Sequence, residues 1–461
     1  MSDTLQVELR PQHAQLTAGR ETNLNVMVQV NPAAAPGRRL PLNICVLLDI
    51  SGTMRRFELT EEDVARWEEL ARSRGELLLK RVDRQQGVIF TGATLRELQE
   101  AAKKPLDLAV LAIKRVSGKL AEGDRLSLVV FANRAAVAYD GSERLDKGKL
   151  FEALNRVQSD PAQFAVGDGT HAAQGVRLAA QMLAKQASSA VVSRALILTD
   201  GIVQDRGPTL GGLDMLRRQN VSTTTVGIGQ DFDEEFLAKA ADSSGGEYYF
   251  AAAPGAVADH LSEETAQMQA VVARQLQVST TGRDGARVVD VHQLRPRLRI
   301  FEEVITEGGI TTVQVGDLQA GRKTALMVEL ALPPYPAGES KVAQVVVRWV
   351  EPGEDTPREA AADLALTFGA EDSPVDQEVA DLAVRLAVYK AEREAQWAQE
   401  DGDLTLATRK LRQATRALTE LGEKDLAAQF EQQAAALEAN QQLDPRRTKS
   451  LKQATRRLTQ Q

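Results

Sequence analysis

Asp49, Ser51 and Thr53 alternate with Ile50 and Gly52 directly after the apolar run Asn43-Ile44-Cys45-Val46-Leu47-Leu48. A loop that reads acid, spacer, hydroxyl, spacer, hydroxyl can turn three oxygen-bearing side chains toward one point. Oxygen is the ligand that hard divalent cations such as magnesium take. A helix N-cap by Ser51 or Thr53 explains the same residues about as well. Two further loops carry matching groups. Gly167-Asp168-Gly169-Thr170-His171 places a glycine-flanked threonine before a helical pattern, and Leu196-Ile197-Leu198-Thr199-Asp200-Gly201 ends an apolar run on an acid and a turn residue. Asp168 reads first as a turn residue and second as added negative charge near an ion. His171, with no other histidine near it in sequence, reads as a solvated or helix-capping imidazole before it reads as a group reaching the ion or a ligand carboxylate.

These loops need a scaffold that brings them together. Between residues 39 and 271, apolar strand candidates (44–49, 125–131, 135–139, 195–200, 222–227 and 247–250) alternate with helical patterns (105–120, 147–157, 172–187, 210–219, 234–242 and 256–274). Such alternation specifies an α/β fold with a doubly wound, mostly parallel sheet that binds ligands at the carboxyl ends of its strands. Asp49 and Asp200 both stand at such ends.

Within a first segment, residues 1–38, the stretch 4–30 alternates in period two, with Leu5, Val7 and Leu9 and then Leu24, Val26, Val28 and Val30 on one face. The pattern returns over 272–370 in Leu326, Val328, Leu330 and Leu332, in Val345, Val347 and Trp349, and in Leu364, Leu366 and Phe368. Two strands cannot make a stable sheet alone, so these segments predict one β-sandwich split in sequence, of half-buried antiparallel strands. Residues 371–461 read as helical, with a hairpin turning at Asp401-Gly402-Asp403 and a basic tail, Arg446 to Arg457, that is either a docking tail for an acidic partner or the solvated face of a last helix. About fifty residues, 55–104, interrupt the alternation beside the first loop. They predict an inserted helical arm, with Val64, Trp67, Leu70, Leu77, Leu78 and Val82 on one side of a helix opened by Thr60, and a capping box Thr94-Leu95-Arg96-Glu97 opening a second.

The 461 residues carry a net charge of -8, which gives no global electrostatic case for nucleic-acid binding. Cys45 is the one cysteine, so no disulfide framework can form, and no apolar run reaches membrane-spanning length. The N-terminal residues lack the pattern of a secretory signal, and the expectation is a cytoplasmic protein.

DISGTM, the Thr170 loop and LILTDG, in this order, resemble the metal-ion-dependent adhesion site of von Willebrand factor type A domains, and the resemblance spans roughly residues 40–272. It implies that Ser51, Thr53 and Thr170 give hydroxyls to the ion while Asp49 and Asp200 hold it mostly through water. Asp168, His171 and Gly201 would form the rim. The cofactor implied is magnesium, with manganese or calcium as alternatives, and the partner is another protein presenting a Glu or Asp carboxylate. Thr53 stands where serine is more usual, which keeps the hydroxyl. A von Willebrand domain set into a β-sandwich and followed by a helical tail further resembles bacterial cytoplasmic proteins of scaffold type.

A non-enzymatic protein-binding scaffold is therefore expected. The alternative is an adaptor of an AAA+ ATPase, since related domains occur beside such machines; the chain itself lacks a phosphate-binding Gly-x-x-x-x-Gly-Lys-Ser/Thr loop. Hydrolysis fits poorly, because hydroxyls stand where metal hydrolases put carboxylates or histidines. The arm leaves the metal face, so it either shapes access to the ion or merely packs beside it.

Overall fold

In the computed structural model, which describes residues 5–32, 39–57, 61–82, 85–101, 104–164, 166–229, 232–251, 255–301, 304–439 and 445–459, the alternating region forms one six-stranded sheet. Its order is Tyr248–Ala251, Ser222–Ile228, Val192–Thr199, Leu42–Asp49, Arg125–Phe131 and Ala135–Tyr139, parallel except for the last strand. Leu42–Asp49 is buried at every residue, as a central parallel strand covered on both faces must be. Ile44, Val46 and Leu48 pack under the helices Pro105–Lys119, Lys147–Ser159 and Ala256–Gln269. Cys45 and Leu47 pack under Ala173–Ala184, Arg206–Arg218 and Glu234–Ser244. From Leu42–Asp49 the chain builds first toward Arg125–Phe131 and then returns on the other side through Val192–Thr199. The switch point lies between Leu42–Asp49 and Val192–Thr199, where a crevice opens at the carboxyl ends.

The last helix of this domain is shorter than its pattern suggests. It stops at Gln269, and the β-branched pair Val271-Val272 already belongs to the sandwich strand Val271–Gly282. The sandwich has a five-stranded sheet, which includes Leu5–Pro11 and Thr22–Pro32 beside Thr324–Leu332, and a six-stranded sheet centred on Val271–Gly282 and Gly338–Val350. Val26, Val28, Leu326 and Val328 meet Val278, Val345, Val347 and Leu364 between the sheets. The N-terminal and later segments thus share one core, as the split pattern requires.

Thr22–Pro32 is not half-buried, however: from Val26 to Val30 both faces are covered. Met27, Ala325 and Met327 on the outer face pack against Val379, Leu382 and Leu386 of the first C-terminal helix. The C-terminal region holds four described helices rather than a hairpin alone: Gln377–Glu400, Leu404–Glu420, Lys424–Glu438 and Pro445–Arg456. The expected turn does join the first two, with Gly402 at φ +81° and Asp403 Oδ1 accepting from the Leu406 N–H at 2.9 Å.

The arm is mixed rather than helical. A helix, Glu61–Arg74, is followed by the hairpin Leu77–Val82 and Gln85–Phe90 and then by a helix, Gly92–Ala101; Thr60 lies outside the described residues. Gly75, at φ +69°, ends the first helix before Leu77, Leu78 and Val82 can join it. Thr94 and Glu97 make no capping box. Instead the Glu76 carboxylate accepts from the N–H groups of Ala93 and Thr94 and from Thr94 Oγ1 at 2.6–2.9 Å, and these hydrogen bonds hold its pKa down at about 2. Glu97 pairs with Arg74 at 3.0 Å.

Candidate metal site

Three loops close around the crevice, each tied to the other two. Ser51 N–H donates to Asp49 Oδ1 at 2.8 Å, which folds the Asp-x-Ser turn back on its own strand. Ser51 Oγ and Thr53 Oγ1 lie 3.0 Å apart, and Thr53 Oγ1 donates to Asp200 Oδ1 at 2.7 Å, linking the first loop to the third. The Gly52 N–H reaches the Asp168 carbonyl at 3.2 Å, linking it to the second. The Gln204 N–H donates to the Thr170 carbonyl at 2.9 Å, linking the second to the third. Asp49, Ser51, Thr53, Thr170 and Asp200 are thereby brought to one place from three segments far apart in sequence.

The fit is close at Gly201. A Cβ there would stand 2.8 Å from Thr170 Oγ1, so a side chain would displace the hydroxyl. Asp49 is fully buried and Asp200 is 3 % exposed. Burial pushes the Asp49 carboxyl up to about 6 against the hydrogen bonds from Thr199 and Ser51, which favour its charged form. Such a carboxylate gains from a nearby cation. The donors are oxygens throughout, two carboxylates and three hydroxyls, a set suited to a hard divalent ion that keeps some of its waters. Among the described residues no three His, Cys, Asp or Glu side chains gather into a metal-holding group, which separates this donor set from zinc sites and carboxylate-rich two-metal centres.

The rim residues have different duties. The exposed Asp168 pairs with Arg55, so it works as more than a turn residue. The His171 N–H donates to the Ala132 carbonyl at 2.8 Å, while its ring Nδ1 is buried without a hydrogen-bond partner among the described residues. Several residues escaped the sequence reading. Thr199 Oγ1 donates to Asp49 Oδ2 at 2.5 Å and accepts from the Gly201 N–H at 3.0 Å. Its signal in the sequence is a hydroxyl closing the apolar run Ala195–Leu198. Asp205 accepts from the N–H groups of Ala172 and Ala173 at 2.8 and 3.0 Å and so anchors the helix behind Thr170, and Asn133 Oδ1 accepts from the Gly169 N–H at 2.6 Å. Neither is marked by any spacing in the chain.

The von Willebrand factor type A domain model matches residues 99–264. The α/β unit is a von Willebrand factor type A domain. The match begins near the end of the inserted arm, within its helix Gly92–Ala101, and so omits Asp49, Ser51 and Thr53, whose strand nevertheless lies at the centre of the domain's sheet. Residues 377–461 match the Sll0103-like, C-terminal alpha-helical domain. The chain is 24% identical over 382 residues to the uncharacterized protein sll0103 of Synechocystis sp., covering 79% of this chain and 76% of that one. Among solved structures, a von Willebrand factor type A protein from Catenulispora acidiphila superposes with a TM-score of 0.71 at 16% identity, over 99% of this chain and 98% of its own. The ArnB paralog VWA2 from Sulfolobus acidocaldarius gives 0.54 at 14% identity, with 99% of each chain covered. Identities this low establish a shared fold across the whole chain.

Beyond the rim, the fourth C-terminal helix reaches the back of the metal loop. Lys449 Nζ donates to the Phe232 carbonyl at 3.0 Å and sits 3.8 Å from the centre of that ring, and the Asp233 N–H approaches the Gly201 carbonyl at 3.5 Å. Lys452 pairs with Glu234 at 3.4 Å and Arg456 with Asp242 at 2.6 Å. The basic tail is thus turned inward against the von Willebrand domain at these positions, where acids of the helix Glu234–Ser244 receive it, and is neither a free docking tail nor a solvated face there.

Proposed function

We propose that the protein is a cytoplasmic, non-catalytic scaffold that binds an acidic residue of another protein through a divalent cation, magnesium in the first instance. Ser51, Thr53 and Thr170 would hold the ion by their hydroxyls, with Asp49 and Asp200 behind them. The ion supplies an electrophilic coordination position, and neutral hydroxyl donors leave its charge largely uncompensated, which favours an anionic ligand from outside. The observation that carries this reading is the convergence of three hydroxyls and two buried carboxylates from three loops at the switch point of the sheet.

The chain's own residues do the rest. Thr199 and the Ser51 N–H orient Asp49, Asp205 holds the Thr170 helix in place, and Gly201 leaves room for the Thr170 hydroxyl. Ile202, 57 % exposed beside the loop, offers an apolar contact, and Arg55 offers a cation at the rim. One carboxylate on one ion is a single charge-assisted contact, so such neighbouring surface must supply much of the affinity. Among the described residues no helix is long and apolar enough to cross a membrane.

The test is a pull-down with wild type and Asp49→Ala, each with magnesium and with chelator, alongside magnesium calorimetry. Partners retained by wild type in magnesium and lost in the other three conditions support the reading. A wild type that takes up no magnesium or manganese ends it.

A further inference from the structure

The second C-terminal helix, Leu404–Glu420, carries Arg409, Arg412 and Arg416 at spacings of three and four, which sets all three on one face. They line a groove of about 920 Å³ whose walls also include Leu404, Ala417 and Leu437. Arg412 is held from the third helix by Glu438 at 2.8 Å and Glu431 at 3.9 Å. Lys410, on the neighbouring flank of the same helix, is likewise paired, with Glu394. Arg409 and Arg416 are exposed, and neither meets an acidic side chain among the described residues. Two forked cations therefore stand on either side of a satisfied one, at the edges of a concave surface with apolar wall positions. Unpaired guanidinium forks match carboxylates in two-point geometry.

We propose that this groove is a second binding site, distinct from the metal loops, for an acidic segment of another polypeptide that places two carboxylates on Arg409 and Arg416. Seven residues of helix separate those arginines, about 10 Å at 1.5 Å per residue. A partner meets that span with acids about three residues apart in an extended chain or two turns apart in a helix. The groove also contains Glu420 and Glu438, which repel a uniformly anionic polymer or lipid surface but leave room for a peptide whose acids are spaced. Among the described residues no Phe, Tyr or Trp lines it, so bases would find no ring there to stack on.

The test measures anisotropy of fluorescein-labelled dodecapeptides bearing two glutamates at separations of two to eight residues on an Ala/Leu/Ser background, each beside its glutamine counterpart. The full chain is used in EDTA, so that the metal site is silent. Binding should peak at a separation of three or seven, weaken at least tenfold in the Arg409→Glu/Arg416→Glu variant, weaken less in Arg409→Lys/Arg416→Lys, and survive in Asp49→Ala. Glutamate peptides that bind no better than their glutamine counterparts overturn the proposal, as does binding indifferent to the double glutamate variant. Poly(U) RNA or phosphatidylserine vesicles that bind where the peptides do not also overturn it.

Discussion

Asp49 and Asp242 are both buried carboxylates of the von Willebrand domain, and the molecule treats them in opposite ways. Asp242 lies where the three parts of the chain meet. Arg456 of the fourth C-terminal helix stands 2.6 Å from it, Arg297 of the sandwich 3.7 Å, and Arg299 is close enough to act on it. Burial alone would push its pKa up, but these arginines outweigh burial and bring it below the ordinary value. Asp49 is partnered by the Thr199 hydroxyl and by Ser51, and burial wins, lifting it to about 6. A junction that must persist is neutralised by cations the chain supplies. The candidate metal site, under the proposed function, is lined by hydroxyls that carry no charge to set against Asp49.

The comparison breaks most visibly at the junction. Asp242→Ala leaves buried guanidinium groups without their acid, and loss of one partner of such a pair typically costs about 3–5 kcal/mol. Denaturant unfolding should show a loss of that size, whereas a loss under 1 kcal/mol would mean the arginines are solvated and the contrast with Asp49 is false.

Glu392, on the first C-terminal helix, offers an intermediate case. Burial raises its pKa from 4.5 to about 7, with Lys452 opposing and Glu234 assisting the shift. The folded state therefore holds this proton more tightly than the unfolded chain, so the contribution is fully present below about pH 4.5 and is lost as pH rises through about 7. At about 1.4 kcal/mol per unit the shift amounts to a few kcal/mol, on the order of 3. Stability measured between pH 5 and 8 should fall more steeply in wild type than in Glu392→Gln, and the variant should be the more stable at pH 8. Parallel profiles would show that Lys452 already neutralises this acid.

Magnesium at a hundred times its dissociation constant should stabilise the wild type by about 2.7 kcal/mol. In Asp49→Asn that increment should vanish, while in chelator the variant should unfold at or above the wild-type midpoint at pH 8, since it removes a buried charge. A variant destabilised in chelator would reveal that Asp49 serves folding and not the ion. The smallest effect belongs to the open groove. Arg409→Glu/Arg416→Glu should shift stability by no more than about 0.5 kcal/mol in a thermal melt, as exposed residues without partners do.

The convergence of the candidate metal site's residues was legible in large part because they occupy short stretches at strand ends. Asp49, Ser51 and Thr53 sit within five residues, and Asp200 closes an apolar run, so the local pattern carried their placement. Asp205 and Asn133 were not legible, since each acts on backbone groups about 33 and 36 residues away, through contacts that exist only after the sheet has formed. The arm misled for a related reason. Leu77, Leu78 and Val82 fit a helical stripe, yet Gly75 breaks that helix, and a two-stranded hairpin uses the same apolar residues. Arg456 read as part of a basic tail because its acid, Asp242, lies 214 residues earlier.

The order of residues alone determined that this chain would build a largely parallel sheet and place oxygen donors at its carboxyl edge, because side-chain periodicity and loop composition are properties of neighbours in sequence. Which buried acids would be neutralised from within and which left without a cation of the chain's own was decided only by the packing of the sandwich and the terminal helices onto the von Willebrand domain. Charge compensation depends on distances of a few ångströms between residues that the chain itself keeps far apart.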